Sequence, residues 1–336
     1  MGQNSKLKLI YELDILKKYS DEAHPLSAAD IIEKLAQYDI AAERKAIYND
    51  IEALEMYGAD IIKTGKPKKG WFIGSRDFEL PEIYLLCDAV RSAKFISAKK
   101  SRELISKLEN MLSVHDARRN KTRVFFSADD KCYNEGLYYN IDGISEAIEQ
   151  QKQIKFSYSS RILNDSREII HKTREMTVNP YALTWQDDYY YLICNYGKYD
   201  NLLHLRVDRM SDVKITKTAA RHFSEVSEYT DVFDIADYTA KLFGMHSGEM
   251  QSIELCCDIK IAEQVFDRFG EGIFIKNKTS GSFNFTVKAA MSDALVSWII
   301  SYGARLKVVK PETLQNMVSR RAEEVLNLYK QNGKML

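Results

Sequence analysis

Arg206 and Arg209 bracket Asp208 at the end of a short apolar strand, and the run Tyr189-Tyr190-Tyr191 lies shortly upstream. A guanidinium fork pairs bidentately with phosphate and aromatic rings stack on bases, so this combination suits a nucleotide or a single strand. Side chains alternate along a strand, which places His204, Arg206 and Asp208 on one face and Leu205 and Val207 on the other. A second set of cations, Lys63, Lys66, Lys68 and Lys69, clusters in a strand, basic turn and strand over 60–73. Upstream of it, Arg44, Lys45, Tyr48 and Asn49 lie at the start of a helix or opposite its apolar residues Ile47 and Ile51. These residues are the candidates for DNA contact, with Lys66, Lys68 and Lys69 on phosphates and Asn49 able to read adenine.

Enzyme chemistry is poorly served. Gly65-Lys-Pro-Lys-Lys-Gly70 mimics the opening of a phosphate loop, but Trp71-Phe72 follow where a lysine and a hydroxyl residue are required. There is no G-x-S-x-G, H-E-x-x-H or G-x-G-x-x-G, and the paired acids Asp187-Asp188 fall in an expected turn. The 5 cysteines form no C-x-x-C pair, so reduced thiols are expected rather than zinc or disulfides. No catalytic residue, metal or cofactor is assigned.

With 336 residues the chain exceeds one compact core and should hold two or three domains. Its 45% apolar and 29% charged content is ordinary for a globular protein, and the formal net charge of zero requires any nucleic-acid surface to be local. No run of eighteen apolar residues occurs and MGQNSKLKL lacks a signal-peptide core, which points to the cytoplasm.

Helical spacing runs over 5–19, and Ser27 N-caps a second short helix carrying Ile31 and Leu35. A third helix covers 42–56 and stops at Gly58. Two short helices, a turn and a third helix follow the helix-turn-helix plan, and the 60–73 hairpin adds a wing. Helices over 80–97 (Ile83, Leu86, Val90, Ala93) and 99–112 should link this reader to the rest and could pair with a second subunit, with Arg118 to Lys121 as a solvated turn. A helix over 142–151 leads into strands separated by a long charged hairpin from Arg161 to Arg174, with breaks at Gln186-Asp187-Asp188 and Gly197-Lys198. An acidic connector over 225–237 and a short helix over 238–243 precede a β-α-β-β-α-β order from 251 onward. The closing helix carries Leu314, Val318, Ala322, Val325 and Leu328 on one stripe, a candidate dimer element.

IKFSYSSR from Ile154, VNPYALTWQDDYYYL from Val178 and LHLRVDRM from Leu203 resemble, in order and spacing, the WYL domain of bacterial transcriptional regulators. The name-giving tripeptide falls on Tyr190-Tyr191-Leu192, with tyrosine in place of tryptophan. AIYNDIEALEMYG resembles the recognition-helix region of the DeoR-like winged helices that usually precede it, although Asn49 stands where that family commonly has a basic residue. The segment from Ser297 to Gly303 and the step Val309-Lys310-Pro311 resemble the extension found behind many WYL domains.

The resemblance implies an SH3/Sm-like β-barrel that uses basic residues to hold nucleotides or single strands. Tyr158, Tyr181, Trp185, His204, Arg206 and Arg209 are the candidates for its ligand face. Each has a plainer role open to it: Tyr181 and Trp185 as core aromatics, His204 as a polar strand residue, Arg206 as the ion-pair partner of Asp208 or Glu168.

The expected chain is thus an α+β multidomain protein. It comprises a winged helix-turn-helix (1–75), a helical linker or dimerisation region (76–137), a WYL domain (138–218), a connector (219–250) and a ferredoxin-like C-terminal module (251–336). Its expected function is a ligand-responsive, homodimeric transcriptional regulator with an operator duplex and a nucleotide or single-stranded effector as partners. The alternative is an adaptor acting through protein or RNA. Effector binding would shift a balance between dimer geometries and so the spacing of the two recognition helices.

Overall fold

The computed structural model describes residues 2–65, 67–121, 131–132 and 134–332, which divide into two compact units, Met1–Glu135 and Gly136–Leu336. No described helix is long and apolar enough to cross a membrane.

The first unit begins with α1 (Gly2–Tyr19), α2 (Ala28–Ala36) and α3 (Arg44–Tyr57), followed by an antiparallel pair, β1 (Ile61–Thr64) and β2 (Gly70–Ile73). Ser27 starts α2 through a reciprocal capping box with Asp30, and Gly58 ends α3 at φ 105, a conformation that glycine adopts without Cβ strain. Ile15, Leu16, Ile31, Leu35, Ile47, Ile51, Leu54, Trp71 and Ile73 close one core among these elements. Leu26 and Trp71 exchange backbone bonds of 2.9 and 2.8 Å, which places the Leu26 carbonyl 2.5 Å from any Cβ added at Gly70.

The unit continues with α4 (Leu80–Ser92), α5 (Ala98–Glu109) and α6 (Val114–Lys121). Two expectations change here. α4 stops at Ser92 instead of 97 and buries Ile83 and Cys87 while Leu86 is 39% exposed, because the inward stripe follows the i, i+4 row from Ile83. Arg118 and Arg119 belong to the last turns of α6, not to a turn of their own, because Ser113 and Asp116 organise the start of a helix there.

The second unit opens with α7 (Leu137–Glu149), which begins five residues before the expected start and buries Leu137, Asn140, Ile144 and Ala147. The sheet that follows comprises β3 (Lys152–Leu163), β4 (Ile169–Gln186), β5 (Tyr189–Asn195), β6 (Leu202–Arg206) and β7 (Met210–Ala219), in the order β6-β5-β4-β3-β7. The long charged hairpin expected from Arg161 to Arg174 is mostly ladder: Ser159 to Leu163 pair with Ile169 to Thr173, leaving only 164–168 as the turn. Asp187 and Asp188 adopt φ 48 and 65, the double positive φ of a two-residue hairpin turn.

β6 and β7 lie at opposite edges of the sheet, yet only Val207–Arg209, one 3₁₀ turn, separates them in sequence. A flat five-stranded sheet would hold its edges about 19 Å apart, and the four steps from Arg206 to Met210 span at most about 14 Å even when fully extended. The sheet must therefore curl. It does not close, since β6 and β7 form no strand pairing among the described residues; where the resemblance implies a β-barrel, the described strands form a curled, open sheet.

A connector with the short helix α8 (Ile235–Ala240) leads to β8 (Glu249–Asp258), α9 (Ala262–Phe269), β9 (Phe274–Lys276), β10 (Ser282–Met291), α10 (Asp293–Ser301), β11 (Leu306–Lys310) and α11 (Glu312–Asn332). The four strands are antiparallel in the order β11-β8-β10-β9, so the two β-α-β halves interleave. Trp298 packs among Phe243, Phe269 and Tyr302 with ring separations of 5.1–5.5 Å. Only the first half of α11 follows its stripe inward: Leu314 is fully buried while Val325 and Leu328 are 43% and 64% exposed.

Candidate nucleic-acid and ligand sites

On α3, Arg44, Lys45 and Asn49 are exposed, as their position opposite Ile47 and Ile51 requires. Tyr48 is half-buried: its ring meets the Trp71 indole edge-on at 5.0 Å, and the Lys63 ammonium stands 6.0 Å from its centroid. Tyr48 thus ties α3 to the hairpin and brings Lys63 beside the helix, a link that no local sequence signal announces. Lys68 and Lys69 are exposed; against the effect of burial, the bonds from Ser27 hold the Asp30 carboxyl below its usual range, and the nearby charge of Lys68 adds to them. Lys66 lies outside the described residues.

In the second unit the six ligand candidates separate. Tyr158 is 6% exposed and packs edge-on to Phe156 at 6.4 Å, so it belongs to the sheet core and not to an open face. Tyr181 joins an apolar cluster with Phe223 and Phe233, and its hydroxyl is buried without a hydrogen-bond partner in the structure. Burial drives that phenol upward in pKa. Trp185 is 46% exposed opposite Tyr190 on the β4–β5 ladder.

His204 is fully engaged. Its Nδ1 lies 2.8 Å from the Met245 carbonyl, which can only accept, so Nδ1 carries the proton and Nε2 accepts from the Tyr238 hydroxyl at 2.9 Å. Burial lowers its pKa to about 4, outweighing the opposing bond to Met245, and the ring is a neutral strut between strand and connector. Behind it opens a cleft of about 570 Å³ lined by Leu202, Glu228, Tyr229, Tyr238 and Met250. None of the six candidates lines this cleft.

Arg206 and Arg209 take different parts. Strand alternation ends at Arg206, and the 3₁₀ turn brings Asp208 back so that it accepts from Nε at 3.0 Å and Nη2 at 2.7 Å. The guanidinium carbon lies over the Tyr189 ring, 3.3 Å from its centroid, within cation–π range. Burial alone would lower the Arg206 pKa, but the bonds and charge of Asp208 outweigh it and raise it. Tyr191, paired with Arg206 across the ladder, shares this face; burial raises its pKa while Arg206 and Arg209 oppose the rise. Arg209 is exposed beside it. The face therefore offers a stacked arginine already held by a carboxylate, an aromatic pair and one open guanidinium, suited to one phosphate and a base.

Tyr189 enters the sequence reading only as part of the aromatic run and not as a ligand-face residue of its own. Its signal was available, since it lies two positions before Tyr191 and so shares that face. Arg268 on α9 was not legible: it donates to the Leu242 carbonyl, covers the Phe243 ring at 4.4 Å, and has Asp187 of the β4–β5 turn as a nearby opposite charge. Among the described residues no group of three or more His, Cys, Asp or Glu side chains is placed to hold a metal ion.

Arg206→Ala is expected to cost about 2–3 kcal/mol, because it takes two guanidinium bonds from a carboxylate with 10% side-chain exposure and removes a cation–π stack. Arg209→Ala should change stability by under about 0.5 kcal/mol. Urea unfolding of the two variants checks this; equal stabilities would remove the structural role given to Arg206.

A helix-led, curled five-stranded sheet with its arginines at the β6–β7 turn, followed by an interleaved α/β module, defines a two-module class. Residues 140–215 match the WYL domain and residues 252–326 the WCX domain. The chain thus carries both. No curated protein matches the sequence. Among solved structures, the proteasome accessory factor B/C (PafBC) of Arthrobacter aurescens is similar at 17% identity and a TM-score of 0.27, over 95% of this chain and 46% of that one. This chain therefore spans about half the length of that relative. A CRISPR Cas-related protein is similar at 14% identity and a TM-score of 0.36, over 98% of this chain and 84% of that one.

Proposed function

We propose that this chain is a ligand-responsive transcriptional regulator, cytoplasmic, homodimeric and without catalytic activity. In this reading the first 75 residues form a winged helix-turn-helix that reads an operator duplex. The SH3/Sm-like WYL domain, backed by the ferredoxin-like module, senses a nucleotide or a single-stranded nucleic acid. The observation that carries the reading is the Tyr48 bridge. It sets a helix with exposed Arg44, Lys45 and Asn49 against a hairpin with Lys63, Lys68 and Lys69, concentrating charge in a chain whose net charge is zero. On the sensor side the reading is supported by the Arg206–Tyr189 stack with Arg209 open beside Tyr191.

The test is fluorescence anisotropy with a labelled duplex from the upstream region, against unrelated duplex, over a salt series. Arg44→Ala with Lys45→Ala should weaken duplex binding at least about tenfold and lower the salt slope by about two. Arg209→Ala should spare duplex binding and weaken that of a labelled single-stranded oligonucleotide. No preference for the upstream duplex at moderate salt would sink the reading in favour of an adaptor.

A further inference from the structure

Within the first unit, the end of α1 meets α6 through side chains that titrate. His24, in the turn between α1 and α2, and His115, in the first turn of α6, lie face to face with ring centroids 3.7 Å apart and planes inclined by 7°. Asp21 ties the two elements together: one carboxyl oxygen accepts from His24 Nδ1 at 2.7 Å and the other from the Ser113 hydroxyl at 2.7 Å. Arg76 adds a second tie, donating to the Ser20 carbonyl at 2.8 Å and to the Met111 carbonyl at 3.4 Å. These bonds fasten the first three helices to α6, the last described helix of the first unit.

The joint has room for one imidazolium and not for two. Asp21 accepts from Nδ1, so a proton added to His24 goes to Nε2 and its charge is met by that carboxylate. A second proton, on His115, sets like charges on rings 3.7 Å apart. The surrounding charges give no relief. Arg118 and Arg76 add positive charge, Asp116 is shared with Arg119 at 3.3 Å, and Asp21 is already bonded twice. Burial first, then the charges of His24 and Arg118, hold His115 below the ordinary histidine range, against Asp21 and Asp116. Bonds from Ser113 and His24 hold Asp21 below the usual carboxylate range, against the effect of burial, so it stays charged. The closed joint thus binds fewer protons than the open one, and closure weakens as pH falls through the ordinary histidine range. His24 cannot retreat, because its N–H donates to the Asp21 carbonyl at 3.0 Å, so relief falls to α6.

We propose that this joint is an acid-opened latch: α6 stays on the α1–α2 turn while at most one of the two rings is charged, and is released when both are. The inference goes beyond the regulator reading and does not rest on it, since the latch acts whether or not the chain binds DNA.

Amide hydrogen exchange of the full chain at about pH 7.5 and about pH 5.5, corrected for the intrinsic pH dependence of exchange, tests it. One extra proton taken up on opening should lower the protection of α6 about tenfold across that range, while α2 keeps its own. Glu12 acts in the opposite sense, since its contribution grows as pH falls, and so cannot produce the drop. His115→Gln keeps a planar polar group that takes no charge and should hold α6 protection within about twofold, whereas His171→Gln, on the exposed part of β4, should show the full drop. A histidine NMR titration of the wild type needs no variant: the two rings should take their protons in two separated steps. Unchanged α6 protection, an equal loss at α2, a His115→Gln variant that loses protection as the wild type does, or rings that titrate together would overturn the proposal.

Discussion

Trp71→Ala should cost the first unit about 3–5 kcal/mol and remove selective duplex binding with it. The indole is 5% exposed, sits in the core that holds Ile31, Ile47 and Ile51, and meets Tyr48 edge-on at 5.0 Å. Truncation leaves the backbone exchange with Leu26 in place but empties the space against which α3 is set. The helix then loses its register to the hairpin, and Lys63 loses the ring it faces. Trp71→Phe keeps an aromatic in the space and should cost about 1–2 kcal/mol with duplex binding largely kept. Urea unfolding followed by tyrosine fluorescence, together with anisotropy, reads both effects. A loss below about 1 kcal/mol for Trp71→Ala would show that the hairpin does not hold the helix.

Glu12→Gln should abolish a pH dependence that the wild type carries. Glu12 on α1 is fully buried, and neither carboxyl oxygen meets a donor, an arrangement no carboxylate tolerates. As a neutral acid it can donate to Asp50, which Lys8 pairs at 2.5 Å. Burial, reinforced by the charge of Asp50 and only partly offset by Lys8, raises its pKa from 4.5 to about 8. The folded chain therefore holds a proton that the unfolded chain releases. The resulting stability is full below pH 4.5 and is lost as pH rises through about 8. At about 1.4 kcal/mol per unit, that window amounts to several kcal/mol, on the order of 4. The amide of Glu12→Gln cannot ionise, so the variant should match the wild type near pH 5 and exceed it by about 3–4 kcal/mol near pH 9. Urea midpoints measured from pH 5 to 9 decide this; parallel curves would mean that Glu12 is already ionised in the folded state.

The element order was largely legible because its signals are local. Ser27 with Asp30 marks a helix start, Gly58 a helix stop and Asp187-Asp188 a two-residue turn, each through bonds or dihedral angles within a few residues. Pairing partners were legible only in part. The Arg161 to Arg174 segment reads as a long charged hairpin, but its charged residues carry no strand alternation to fix a register, which is set where β3 and β4 run on past the rest of the sheet. Site roles were the least legible. Tyr158 and His204 alternate as exposed strand residues do, and only tertiary packing turns them inward: Tyr158 is buried against Phe156, and the Tyr238–Met245 connector covers His204. Arg206 was marked as a ligand group by its type and neighbours; the 3₁₀ turn that returns Asp208 to it makes it an internal fork and leaves Arg209 open.

By itself, then, the sequence determined the order of helices and strands, the WYL-type motif order, and the placement of cations on α3 and the hairpin, because each depends on residues close together along the chain. The tertiary structure alone decided which of those cations and rings remain available. Availability is set by what packs against a side chain across tens of residues, as Tyr238 and Met245 do for His204 across a connector.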